Sequence, residues 1–305
     1  MDSNCIVVCG PTASGKTRLG VLIARKLGGE ILSCDSRQVY RGMDIGTGKD
    51  LAEYGDLPCH LIDIADPAEI YTVHRYQADF RRAFAEVTGR RKPPVVVGGT
   101  GLYLEAVLRD YAVPEVPEHA AFRAGQMLRD RESLARELAA CAPELYRVTD
   151  LNSRKRIVRS LEIARFGDGA PGKTSPQAIP LRPLVLCIVV ERPVLRERIA
   201  ARLQARLDAG MVDEVNRLLA AGIPRERLAM FGMEYKQVSR YLSGEVDYGT
   251  MVAELCRDIC RLAKRQETWF RGMERRGTAM HWIKEGNFDE AMAVIGEAAG
   301  FSILS

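Results

Sequence analysis

The chain opens with an apolar run, Cys5-Ile6-Val7-Val8-Cys9, that passes directly into Gly10-Pro11-Thr12-Ala13-Ser14-Gly15-Lys16-Thr17. Leu19, Leu22, Ile23 and Leu27 follow at helical spacing, so the stretch reads as strand, loop, helix. Gly10 and Gly15 carry no Cβ to obstruct closure of the backbone around an anion. The amides of the loop and first helical turn would face phosphate oxygens, and the unpaired helix N-terminus adds a favourable field. Lys16 supplies a flexible positive charge, and the Thr17 hydroxyl is placed to join a Mg²⁺ shell. A structural glycine turn would explain the glycines but would not require Lys-Thr directly after them. Gly10, Thr12, Ala13, Ser14, Gly15, Lys16 and Thr17 are therefore the expected cradle. Whether its phosphate belongs to a nucleotide or to another diphosphate stays open.

The fold this asks for is α/β: a P-loop nucleoside-triphosphate-hydrolase-like parallel sheet. At 305 residues and 47% hydrophobic content the chain can bury a large core with a smaller domain beside it. No window is apolar for long enough to cross a membrane, and acidic Asp2 stands where a signal peptide would be basic, so the cytoplasm is expected. Eight scattered cysteines, including Cys256 and Cys260 on one helical face, lack paired CxxC clusters and read as reduced thiols in packing roles. The formal charge is only +4, but basic residues concentrate at 153–165 and 257–276, which suits either a solvated helix face or a polyanion.

Further along, Glu30-Ile31-Leu32-Ser33-Cys34 is a strand candidate ending in Asp35. Ligands gather beyond the carboxyl ends of strands in such sheets, so Asp35 could accept a proton, hold Mg²⁺ through water or cap the next helix. Residues 39–49 read as a surface loop near the active mouth, and 61–64 as a short strand. Residues 73–87 form a helix that buries Tyr76, Phe80, Ala83, Phe84 and Val87. Pro93 to Gly101 is a strand-to-helix junction in which Thr100 could orient a reacting group or cap the helix. Helices are expected over 121–140 and 152–166, and a return linker over 167–183. A strand at 184–190 and a helix with Leu195, Ile199, Leu203 and Leu207 on one face then restore the α/β pattern. The division is 1–113 with 176–305 as a discontinuous core, and 114–175 as an inserted helical domain with its linker. Trp269 and Phe270 read as core docking in preference to base stacking, and His281 and Trp282 carry no clear chemical signal.

Taken as an ordered set, the phosphate loop, Asp35 to Thr47, Val97 to Tyr103, Arg156 to Glu162 and Leu262 to Phe270 resemble the tRNA dimethylallyltransferase family. The resemblance implies transfer of a dimethylallyl group from dimethylallyl diphosphate to the exocyclic N6 of the adenosine immediately 3′ of the anticodon. A kinase-like loop would then hold a diphosphate leaving group with Mg²⁺. It implies that Asp35 orients and deprotonates the adenine amine, that Thr100 sits beside the reacting centre, and that Lys16 holds diphosphate. Ser36, Arg37 and Gln38 fall in the family's tRNA-contact stretch, and Arg123, Lys155, Arg156 and Arg159 match further positions that meet the anticodon stem-loop. One departure stands out: many relatives carry a diphosphate-gripping arginine where this chain has Ala229-Met230-Phe231-Gly232-Met233-Glu234-Tyr235-Lys236-Gln237. Arg225, Arg227 or Lys236 could substitute, or Lys16 and Mg²⁺ could carry more of the load, and the role is assigned to no single one of them. The competing readings are an ATP-dependent small-molecule kinase and a non-catalytic RNA-binding module; a monomer is expected.

Overall fold

The computed structural model describes residues 3–110, 116–167 and 180–298. Its contacts divide the chain into two compact units, Met1–Arg109 with Ile179–Ser305, and Asp110–Ala178. The second unit is a few residues wider at each end than the sequence division.

The first unit is built on a parallel sheet of six strands among the described residues. They are β1 (Cys5–Cys9), β2 (Glu30–Ser33), β3 (Cys59–His60), β4 (Pro94–Gly98), β5 (Pro183–Val189) and β6 (Met280–Lys284), in the order β3-β2-β4-β1-β5-β6. β1 and β4, both buried along their whole length, lie side by side near the middle, as their valine-rich runs require. Helices α1 (Lys16–Leu27), α2 (Val73–Gly89) and α3 (Gly101–Leu108) alternate with the first strands. On α1 the buried face is Leu19, Gly20, Val21, Ile23 and Ala24, whereas Leu22 is exposed; Gly20 lies so close to Val97 of β4 that a Cβ would stand 2.4 Å from that side chain. The order and the loop following β1 make this a P-loop fold.

In the first unit three expectations are corrected. The strand expected at 61–64 lies two residues earlier, because Leu61 and Asp63 adopt positive φ that no strand accommodates. β6 was not anticipated: it is an edge strand beside β5, and its Met280-His281-Trp282-Ile283-Lys284 buries only Ile283 fully. The loop over 39–49 borders the site as expected but is only partly at the surface: Arg41, Gly42 and Asp44 are exposed, whereas Val39, Met43 and Lys49 are entirely buried.

In the second unit, the helix expected over 121–140 is two: α4 (Ala120–Met127) and α5 (Arg131–Cys141), broken where Asp130 caps α5 by accepting the Ser133 amide. α6 (Pro143–Val148) and α7 (Arg154–Phe166) follow, and Leu134, Leu138, Ile157, Val158 and Leu161 form a core of their own. Most of the return linker lies outside the described residues.

The first unit resumes with β5 and α8 (Arg192–Asp208), which buries Leu195, Ile199, Leu203 and Leu207 as its spacing predicts. α9 (Met211–Ala220), α10 (Arg225–Phe231), α11 (Met233–Leu242), the long α12 (Tyr248–Arg275) and α13 (Phe288–Glu297) complete it. Phe270 is fully buried in this core. All eight cysteines are free thiols. Among the described residues no helix is long and apolar enough to cross a membrane.

Candidate active site

The loop between β1 and α1 is shaped by two glycines for different reasons. Gly15 has φ +87°, a left-handed conformation that side chains resist, with open space around it; at Gly10 a Cβ would stand 2.8 Å from Ser14 Oγ. Ala13 adopts φ +61° without that freedom. The Ser14 hydroxyl is fully buried and has no hydrogen-bond partner, and no side chain caps α1. An anion seated in the loop is the natural complement of these unpaired donors. Not every amide is free, however: the Thr12 N–H donates to Gln266 Oε1 at 2.8 Å. Burial, with Arg202 close by, brings the Lys16 ammonium down to about 8, while Asp35 and Asp50 pull the other way.

The carboxyl ends of β2 and β4 are drawn together just beside the loop. The Cys34 amide donates to the Val97 carbonyl at 2.7 Å, and a Cβ on Gly98 would stand 2.0 Å from the Cys34 carbonyl oxygen, so only glycine permits this approach. The Ser36 amide then donates to Thr100 Oγ1 at 3.0 Å, and the Arg37 amide to Asp35 Oδ1 at 2.9 Å. Thr100 stands at the N-cap of α3 but makes no capping bond with its side chain. Its hydroxyl ties the segment after Asp35 in place. Gln38 is buried, donating to the Gly48 carbonyl and accepting from Ser33 Oγ, both at 3.0 Å.

The partly buried loop that follows is satisfied from within. Lys49 donates to the Tyr40 carbonyl at 2.8 Å and pairs with Asp44 and Asp63. From α9, the buried Glu214 accepts the amides of Asp44, Ile45 and Gly46 and the Tyr235 hydroxyl, all at 2.8–2.9 Å. Together these bonds fix the loop against the mouth of the site.

A cavity of about 460 Å³ joins these parts. Lys16, Thr17, Asp35, Ser36, Arg37, Gln38 and Thr100 all line it, so the phosphate loop and the Asp35 segment face one space. Thr12 lines it too, while Ala13, Gly15, Lys16 and Thr17 border a smaller cavity of about 300 Å³ with Asp50 and Glu53. Thr17, Asp50 and Glu53 offer the hard oxygen donors that Mg²⁺ takes, so the residues fit that ion. Three participants were not singled out from the sequence, and Trp269, read there as core docking, also lines the cavity. Arg202 and Arg206 of α8 line the cavity, as does Gln266 of α12, which bridges the Thr12 amide and the Gly99 carbonyl. Trp269 lies against Gly101, where a Cβ would stand 2.3 Å from its ring, and its buried Nε1 has no partner. Helical spacing sets Arg202 and Arg206 at the edge of the buried stripe of α8, but nothing local distinguishes them from a solvated border of that face.

The IPP transferase family model matches residues 38–273. Over 289 residues the chain is 52% identical to tRNA dimethylallyltransferase 1 of Geotalea uraniireducens (strain Rf4), covering 95% of each chain. It is likewise 52% identical over 283 residues to tRNA dimethylallyltransferase 2 of Syntrophotalea carbinolica, covering 93% of this chain and 95% of that protein.

The chain belongs to the IPP transferase family.

The solved structure of the tRNA isopentenylpyrophosphate transferase from Bacillus halodurans superposes with a TM-score of 0.71 at 32% identity, over 98% of this chain and 97% of that one. A eukaryotic dimethylallyltransferase acting on tRNA shares the fold with a TM-score of 0.78 at 22% identity, over 97% of this chain and 77% of that one. Within the family framework, none of the three nearby substitutes for the missing arginine lines the cavity. Arg225 and Lys236 are exposed. Arg227 donates to the Pro67 and Glu69 carbonyls and lies over the Phe231 ring at 4.7 Å.

The expected RNA-contact residues of the helical unit fall into two groups. Lys155 and Arg156 are exposed, the latter paired with Asp150 at 2.8 Å. Arg123 and Arg159 are engaged internally: Arg123 reaches both oxygens of Glu162, at 3.0 and 2.6 Å, and Arg159 donates to Glu162 at 2.5 Å and to the Val116 carbonyl at 2.8 Å. With the His119 amide also donating to it, the fully buried Glu162 keeps its pKa at about 2 despite its burial.

Proposed function

We propose that this chain transfers a dimethylallyl group from dimethylallyl diphosphate to N6 of the adenosine immediately 3′ of the anticodon in tRNA, releasing diphosphate. The observation that carries the reading is one cavity lined by Lys16 and Thr17, by Asp35, and by the apolar side chains of Phe231, Met233, Leu262 and Trp269. An apolar wall beside a phosphate cradle suits a short prenyl chain and keeps water from its electrophilic carbon. The names of the relatives, tRNA dimethylallyltransferases along almost the whole chain, support the same chemistry.

In this reading the allylic C–O bond breaks with its electron pair passing to the diphosphate, and the N6 lone pair forms the new C–N bond. The adenine amine is weakly nucleophilic because its lone pair is delocalised into the ring, so an acceptor must orient it and take its proton. Asp35 is that acceptor, steadied by the Arg37 amide on Oδ1. Thr100 keeps the segment in register through the Ser36 amide. Lys16 and the loop amides hold the departing charge. Thr17, near Asp50 and Glu53 and aided by the donor's own phosphate oxygens, would hold Mg²⁺, which when bound neutralises charge on the leaving group. Ser36, Arg37 and Gln38 contact the extruded adenosine, and the helical unit grips the anticodon stem-loop, with Lys155 and Arg156 as the cations open to its phosphates. Flipping a loop base costs less than extracting one from a duplex. The enzyme acts as a monomer in the cytoplasm.

The test is incubation with unmodified tRNA, labelled dimethylallyl diphosphate and Mg²⁺, with mass analysis of the nucleosides and a parallel arm supplied with ATP. Prenylated adenosine in the first arm alone is the expected result. ATP cleavage without RNA alkylation would turn the reading into that of a kinase.

A further inference from the structure

Arg206 is a largely enclosed arginine on the cavity wall whose surroundings leave it incomplete. Its side chain is only 12% exposed, its Nε is buried without a hydrogen-bond partner, and its ion pair with Glu234 spans 3.8 Å, beyond hydrogen-bonding reach. Arg202, one helical turn earlier on α8, is by contrast paired with Asp50 and donates to the Gly48 carbonyl at 3.4 Å. A guanidinium offers five donors in a fixed fork, and enclosing it with so few partners is costly unless an anion completes it.

The loop after Asp35 is moulded to this side chain. Gly48 has φ +62°, and a Cβ there would stand 1.4 Å from Arg206 Nη2, so the guanidinium occupies the space a side chain would need. Gly46 meets Tyr235 similarly, at 2.6 Å from the ring, and Tyr235 follows Glu234 directly. The Gln38 bond to the Gly48 carbonyl fixes the loop in that position. Lys16, Arg202 and Arg206 thus surround one end of the cavity with positive charge, and Arg202 and Arg206 each act to lower the Lys16 pKa. Three cations that disfavour one another are a prepared site for a multiply charged anion.

We propose that Arg206 grips the diphosphate of the allylic donor in this chain, and that Glu234 positions its guanidinium across the cavity wall while the donor is absent. The inference rests on the prenyl-transfer reading and deepens it, supplying from helix α8 an arginine where the stretch 229–237 has none. Two parallel N–H donors to phosphate oxygens are the interaction for which arginine is suited and lysine is not.

The experiment compares wild type, Arg206→Gln and Arg206→Lys by calorimetric titration with inorganic pyrophosphate and Mg²⁺, by donor and tRNA KM, and by thermal unfolding with and without pyrophosphate. For Arg206→Gln the expected result is about 10- to 100-fold weaker pyrophosphate binding and a donor KM raised in step, with tRNA KM unchanged. Its melting temperature without ligand should be no lower than that of wild type, because an unsatisfied cation has been removed, while the stabilisation by pyrophosphate should shrink. Arg206→Lys should recover only part of the affinity. Unchanged pyrophosphate affinity in Arg206→Gln, or a lower melting temperature with unaltered donor KM, overturns the proposal. If wild type alkylates tRNA in that event, Arg206 alone has been misassigned; if wild type neither binds pyrophosphate nor alkylates tRNA, the prenyl-transfer reading falls as well.

Discussion

Two arginine and glutamate arrangements in this molecule are built from the same residue types and reach opposite ends. In the helical unit Glu162 is completely buried and saturated, accepting from Arg123, Arg159 and the His119 amide, which holds its pKa at about 2. In the α/β unit Glu234 faces Arg206 across 3.8 Å with the Arg206 Nε left unpartnered, and burial raises the Glu234 pKa. The first is a closed network, complete without any ligand. The second is open, and an open set of charges in a cavity is what a substrate anion can complete. Charge clusters that look alike in sequence therefore divide by whether the fold has already paired them.

The contrast can be broken at its functional end first. Asp35→Asn should lower the rate of prenyl transfer by about 10²- to 10⁴-fold while pyrophosphate binding changes little, as single-turnover kinetics and calorimetry would measure. Equal losses in both would mean that Asp35 serves the metal or the fold instead. At the structural end, Glu162→Ala leaves Arg123 and Arg159 without their shared partner. The two arginines are a quarter to a third exposed, so solvent softens the penalty. A loss of about 2 kcal/mol is expected, read by chemical denaturation with a probe on the helical unit.

The same carboxylate supplies a pH signature. The folded pKa of Glu162 lies below its ordinary value of 4.5, so its contribution is fully present above about 4.5 and is lost as pH falls towards about 2. Acid unfolding of wild type should steepen in that window, and Glu162→Gln should lack that component. The smallest effect expected is that of Gly48→Ala, which forces a left-handed residue to carry a Cβ into the place of Arg206 Nη2. Pyrophosphate affinity should fall roughly fivefold, equivalent to about 1 kcal/mol. Unaltered binding in that variant would show that the loop does not set the position of the guanidinium.

How much was legible in the sequence depended on how local the determining interaction is. The phosphate loop, Lys16, Thr17 and the central strands could be read because their geometry arises within a short contiguous stretch: an apolar run, two glycines and an amphipathic helix dictate strand, turn and helix by themselves. The buried stripes of α2 and α8 were legible for the same reason, since helical periodicity is a property of neighbours in sequence. β6 was not, because an edge strand covered on one side shows weak alternation and little apolar character. The loop over 39–49 looked like surface because its glycines and charges are polar by composition; its burial depends on Lys49 and on Glu214, some 170 residues away.

By itself the sequence determined that β1 leads into an anion-binding loop, that Asp35 follows the carboxyl end of the next strand in the chain, and that a helical segment interrupts the α/β pattern. Only the tertiary structure decided which cations belong to the cavity and which to closed ion pairs: Arg206 and Gln266 enter the site from helices far along the chain, while Arg123 and Arg159 are held by Glu162. The physical reason is that a charge's role is set by the free energy of its surroundings, by burial and by the partners within a few ångströms, and those surroundings exist only once distant segments have packed together.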